Sequence, residues 1–235
     1  MKKLILILLA LTMLLCACSK ESTPELGGYQ SENGYWYLDF DEPTVEVKKE
    51  VKVTLSDGTT DTSYLCRPVI NVDNEGANQV TKSIKDYLDE KYEKYFKKPD
   101  DRIIKVDYET SAANDILTVI ITEEIITPEK TSNCVACFHY DDLAGVELNM
   151  MEYSNMNGAQ LSTVFSAVYE SDWAAEYEET TGESPYEDAM LGIVCHGDLL
   201  FDVYCLDPDG DSVTKLELQV EDVPLEIPDM EYSYE

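Results

Sequence analysis

Positive charge is scarce in this sequence beside negative charge. Its 235 residues carry 17 Lys+Arg against 48 Asp+Glu, a formal net charge of −31. Phosphate backbones and anionic lipid headgroups repel such a surface, so nucleic-acid binding and electrostatic membrane docking are excluded first. Histidine is scarcer still, with only His139 and His196, and neither lies in a paired spacing such as H-E-x-x-H. The apolar run Leu4 to Leu15 is shorter than the ~20 residues a permanent membrane-spanning helix needs. Apolar side chain is plentiful at 44%, with 10% aromatic, which is too rich for a disordered polyanion and enough for a sizeable core. Polycationic partners are what the charge leaves open.

The first seventeen residues place Lys2 and Lys3 before the apolar run and contain no acid, the layout of an export signal. The run ends in Leu15-Cys16-Ala17-Cys18-Ser19, which resembles the bacterial lipoprotein signal, where cleavage leaves a lipidated Cys at the new N-terminus. That resemblance implies acyl chains, palmitate among them, on Cys18, and a protein anchored to the cell membrane on its outer, extracytoplasmic side. Residues 19 to 28 lack periodicity and read, with Cys18, as a flexible tether. Removing Lys2 and Lys3 leaves 15 basic residues facing 48 acids, a net charge of −33. Residues 29 to 235 then read as one body, with two halves meeting near residue 130. The second half is the acidic one: residues 131 to 235 hold 24 acids and a single base, Lys215.

Periodicity predicts an α+β fold, mainly antiparallel sheet packed with two principal helices. Val45, Val47, Val51, Val53 and Leu55 alternate into Ser56-Asp57-Gly58, a strand entering a tight turn. Trp36, Leu38 and Phe40 suggest an earlier strand with Trp36 in the core. Ile84, Tyr87, Leu88 and Tyr95 follow helical spacing, which predicts a helix over 75–98 capped by Asp73 or Asn74. Strands are predicted over Ile103–Tyr108, Ile116–Ile126 and Cys134–Tyr140. Leu161, Val164, Phe165 and Val168 predict a second helix over about 157–178. Ser184-Pro185-Tyr186-Glu187 reads as a capping box opening a short third helix that ends near Gly192. A hairpin across Asp207-Pro-Asp-Gly-Asp211 closes the chain.

Chemistry is sparse. Cys134-Val-Ala-Cys137 with His139, Cys195 and His196 supplies enough soft ligands for one zinc, but Val-Ala within a strand sends the two thiols to opposite faces. The five remaining cysteines, Cys66, Cys134, Cys137, Cys195 and Cys205, then read as buried thiols, with cross-strand disulfides as the alternative. Neither a metal nor another cofactor is expected. Cys195 and His196 are strand neighbours and so face apart, leaving a Cys nucleophile to find its base elsewhere, at His139. Asp207 to Asp211 has the acids of a calcium loop, but Ser212 and Leu218 stand where an EF-hand needs Gly and Glu, so it reads as a turn.

Tyr64-Leu-Cys-Arg-Pro-Val-Ile70, the helix Asn78 to Leu88, Asp115 to Ile121, Phe138-His-Tyr-Asp-Asp-Leu-Ala-Gly145 with Leu148, and Phe201-Asp-Val-Tyr204 together resemble one family. It is the extracellular domain shared by RsiV-type anti-sigma factors and secreted peptidoglycan deacetylases. The resemblance covers about residues 60 to 222. The Gly-Gly-Ala-His segment common before the Asp-x-x-x-Gly turn is replaced by Thr131 to Cys137. What the resemblance implies is an exported α+β domain that binds something at the cell envelope, lysozyme in the RsiV case. Two functions follow: a non-catalytic surface lipoprotein that binds a cationic, lysozyme-like protein or a peptidoglycan-related component, and, alternatively, a small envelope hydrolase using His139 or His196.

Overall fold

A computed structural model describes residues 23–185 and 189–220. The strands are β1 (Tyr29–Gln30), β2 (Trp36–Tyr37), β3 (Thr44–Thr54), β4 (Thr60–Ile70), β5 (Ile103–Ala113), β6 (Ile116–Ile126), β7 (Thr131–Asp141), β8 (Val146–Leu148), β9 (Met190–Cys195), β10 (Leu200–Leu206) and β11 (Val213–Gln219). The helices are α1 (Glu75–Lys97), α2 (Met150–Met156), α3 (Leu161–Tyr169) and α4 (Asp172–Thr181). This is the α+β class the periodicity predicts.

Strands β3 to β8 lie side by side in sequence order in one six-stranded sheet, antiparallel throughout except for the parallel pair β4 and β5. A parallel step needs a crossover, and α1 supplies it. Asn74 caps α1 by accepting from the Ala77 N–H at 2.8 Å, and Val80, Ile84 and Leu88 are buried on its inner face. They pack on Leu65, Val106, Leu117, Val119, Ile121 and Tyr140, one face of the sheet. Gly76 allows the approach: a Cβ there would stand 2.1 Å from the Gly145 carbonyl oxygen. The β5–β6 hairpin turns on Asn114 and Asp115, both at positive φ (53° and 61°), the two-residue turn that suits strand twist.

A second sheet, ordered β11-β10-β9, packs on the opposite face over β6 and β7, through Ile120, Val135, Val194 and Tyr204. Its far face is covered by α2, α3 and α4, with Phe201, Val203, Ile193, Val164 and Trp173 buried between. The order of layers is α1, large sheet, small sheet, then the three short helices. The large sheet runs on past residue 130, since β7 and β8 complete it.

Three expectations are corrected. The helix predicted over 157–178 is broken at Ser171, whose hydroxyl accepts from the Ala174 N–H and starts α4 as a separate helix. Gly192 does not end a helix: it lies inside β9, where a Cβ would stand 2.5 Å from Cys137 Sγ, so the missing side chain is what lets the sheets meet. Of that third helix, residues 186–188 lie outside the described residues. Trp36 is not core but half exposed, because β1 and β2 form a separate two-stranded hairpin with no sheet face to bury it. Leu38, two residues on, carries the burial instead.

Candidate functional site

Cys18 and the export signal lie outside the described residues. Among the described residues no helix is long and apolar enough to cross a membrane.

The two histidines stand in different settings. His139, on β7, is buried, with Nδ1 3.0 Å from Thr118 Oγ1 and its ring stacked on Tyr153. Burial pushes its pKa down to about 3, so the imidazole is neutral and packs as a core ring. Thr118 is itself buried, so neither group of this pair is open to solvent. His196 is partly exposed, and its Nε2 lies 2.8 Å from Asp202 Oδ2, which also takes Lys215 Nζ at 3.0 Å. Cys195 turns the other way, into the core shared with α2 to α4, as alternation along a strand requires.

The cysteines follow the same geometry. Cys134 faces α1, with Lys91 Nζ 3.9 Å from its sulfur, whereas Cys137 faces the small sheet at Gly192. The two thiols of the C-x-x-C are thus on opposite faces, and all five described cysteines are free thiols. Burial pushes the Cys137 and Cys205 thiols up to about 12, so both are protonated. The Asp207–Asp211 acids are absorbed locally. Asp209 accepts from the Asp211 and Ser212 N–H groups at 2.8 and 3.0 Å, Asp211 pairs with Lys130, and Asp207 accepts from Trp173 Nε1 at 2.9 Å. Gly210 takes positive φ (70°), completing an ordinary turn.

That turn nevertheless forms one wall of the best candidate surface. A groove of about 500 Å³ runs between α4 and the β10–β11 end of the small sheet. Asp172, Glu176, Asp207 and Asp209 line it with Trp173 and Tyr177, and among the described residues no Lys or Arg lines it. The absence of a base has a structural reason. Thr214 and Leu216 of β11 face the groove, and the intervening Lys215 points to the opposite side, into a cleft of about 270 Å³ between the two sheets. There Lys215 is spent on Asp202 and Glu217. Asp209 is held below the usual carboxylate range, first by the Asp211 N–H and then by Ser212, so it stays ionised to low pH. The Trp173 and Tyr177 rings sit 5.3 Å apart at 48°. Trp173 is buried beneath the groove, but carboxylates beside the half-buried Tyr177 ring suit an ammonium or guanidinium, through charge and cation–π attraction. A smaller cavity of about 250 Å³ repeats the theme with Asp39, Asp115 and Asp142 beside Tyr29 and Tyr37.

Charge counting locates the acidic half but not this groove. The signal for it is the run Asp172-Trp-Ala-Ala-Glu176-Tyr177, which puts two acids and two rings within about one helical turn.

No family model and no curated protein matches the sequence. Among solved structures, a DUF3298 family protein from Pseudomonas aeruginosa PAO1 aligns with a TM-score of 0.46 at 10% identity, covering 75% of this chain and 90% of that one.

Proposed function

We propose that this chain is a lipid-anchored, extracytoplasmic binding module, non-catalytic, whose acidic second half takes a cationic protein of lysozyme type or a cationic envelope component. The observation that carries the reading is the groove beside α4, with four carboxylates, the half-buried Tyr177 ring and, among the described residues, no base. The anchor on Cys18 and the outward location rest on the Leu15-Cys16-Ala17-Cys18 signal. Long-range attraction would raise encounter rates, and the rings and fixed carboxylates would supply selectivity.

Calorimetry of the chain with a lysozyme and with polylysine, at low and moderate salt, tests it. A saturable complex with the folded cation, weakened as the Debye length falls from ~10 Å at 0.1 M salt, is expected. Glu176→Gln with Asp209→Asn should weaken it roughly ten-fold, the loss of two charge-assisted contacts. No heat with the lysozyme, or behaviour identical with polylysine, removes the receptor reading.

A further inference from the structure

We propose that the chain forms a two-fold symmetric dimer in which β3 pairs antiparallel with β3 of a second copy. Strand β3 is eleven residues long and, among the described residues, forms one edge of the large sheet, paired on one side with β4. The sequence of that edge, Thr-Val-Glu-Val-Lys-Lys-Glu-Val-Lys-Val-Thr, is complementary to itself in charge. Reversed about Lys49, it sets Thr44 against Thr54, Val45 against Val53, Glu46 against Lys52, Val47 against Val51 and Lys48 against Glu50. Two-fold symmetry doubles each pair, so one face of the joint gains four Glu–Lys pairs. The other face gains rows of valine that continue the apolar side covered by α1.

The backbone permits this register. Leu55 donates to the Thr59 carbonyl at 2.8 Å, and Asn71 donates to the Pro43 carbonyl at 2.9 Å, one bonded pair beyond each end of the β3–β4 ladder. Bonded residues alternate, so odd-numbered residues of β3 direct N–H and C=O to β4, and even-numbered ones direct them outward. In the self-paired register Glu46 meets Lys52 and Lys48 meets Glu50, even with even, so outward donors and acceptors meet. A slip of two residues either way sets Lys48 against Lys52 and Glu50 against itself, or Glu46 against Glu50 and Lys48 against itself. Charge therefore rejects the two neighbouring registers and favours the symmetric one, with four Glu–Lys pairs against two for a slip of four. The lysines that ordinarily protect an edge from adding strands here reject the alignments two residues to either side. Growth stops at two, because the opposite edge of the sheet is β8, three residues long. One element resists: Lys49 meets Lys49 of the second copy on the two-fold axis, at a non-bonded position where side chains are closest.

Sedimentation equilibrium of the full chain in a non-ionic detergent, across the micromolar range, tests the pairing. The wild type is expected to show a monomer–dimer equilibrium. Lys48→Glu and Glu50→Lys should each weaken it roughly ten-fold, because attraction becomes repulsion at two symmetric pairs. The double variant should recover wild-type affinity, and Lys49→Val should tighten the dimer. A chain that stays monomeric throughout overturns the proposal, as does a dimer unmoved by either single swap. Loss in the single variants with neither recovery in the double nor tightening by Lys49→Val overturns it equally.

Discussion

The Tyr153 ring lies flat on the His139 imidazole, with 3.7 Å between centroids and 9° between planes. The Tyr153 hydroxyl then accepts from the Cys195 N–H at 2.7 Å, so one aromatic pair ties α2 to both sheets. A histidine committed in this way is part of the core, and its cost appears only when it must take a proton.

That cost gives a pH dependence of definite sign. The folded-state pKa of His139, about 3, lies below the ~6.5 of an unfolded chain, so between these values the unfolded state binds more protons. Its contribution to stability is complete above pH 6.5 and is lost as pH falls toward 3. Urea unfolding at pH 7 and pH 4 should show the wild type losing up to about 3 kcal/mol more than His139→Gln, in which nothing titrates at this site. Equal losses would mean the imidazole is not desolvated.

Glu123 is the second group whose burial needs partners. Its side chain is 1% exposed, on the α1 face of β6, and accepts from the Tyr87 and Tyr92 hydroxyls and from Lys91 Nζ at 3.0 and 3.1 Å. Burial, aided by the carboxylate, raises the pKa of both phenols, which keeps them protonated as donors. Tyr92→Phe should cost about 2 kcal/mol, the penalty of a buried acceptor short of one donor. Lys91→Met should cost about 3 kcal/mol, since it leaves the carboxylate without its cation. Thermal melts of the two single variants and of Lys91→Met with Glu123→Leu check this: the double should cost less than Lys91→Met alone, and a purely additive result would show no coupling.

How much of this is legible in the sequence follows from range. Alternation in β3, the spacing of α1 and the opposed thiols of Cys134 and Cys137 are local patterns, and each appears in the fold where the sequence places it. Asn114-Asp115, a two-residue turn, and the Asn149–Glu152 capping box that opens α2 carry local signals too, though weaker ones that periodicity alone passes over. The groove beside α4 is legible only in part: the run Asp172 to Tyr177 supplies one wall, but nothing local says what faces it. It needs α4 and the Asp207–Asp211 turn brought side by side, and the contact that does so, Trp173 Nε1 to Asp207, spans 34 residues. Trp36 and Gly192 mislead for the same reason, since the nature of a hairpin or a glycine depends on which sheet lies opposite.

The proposed anchor makes a separate prediction. Cys18→Ala should prevent acylation, and because a single stable anchor requires the lipid chains, the protein should appear in the soluble fraction once the export signal is cleaved. Fractionation with metabolic labelling by a palmitate analogue checks both. A cleaved Cys18→Ala variant still held in the membrane fraction would show another anchor.

The contact between Gly192 and Cys137 admits the sharpest test of how the two sheets are joined. A Cβ on residue 192 would stand 2.5 Å from Cys137 Sγ and 3.0 Å from its Cβ, so Gly192→Ala must push β9 off β7 or force Cys137 from its rotamer. Overpacking of this kind costs about 1–3 kcal/mol. Cys137→Ala alone removes a partly buried sulfur packed between the sheets and should cost about 1 kcal/mol through the void it leaves. Together the two changes exchange one volume for another: the new methyl enters the space the sulfur vacates, and the double variant should be more stable than Gly192→Ala alone. Chemical unfolding of the three variants reads the coupling, which is expected to be favourable by about 1 kcal/mol or more. Additive losses would place the small sheet farther from β7 than Gly192 indicates, and the layer order built on that contact would fail with it.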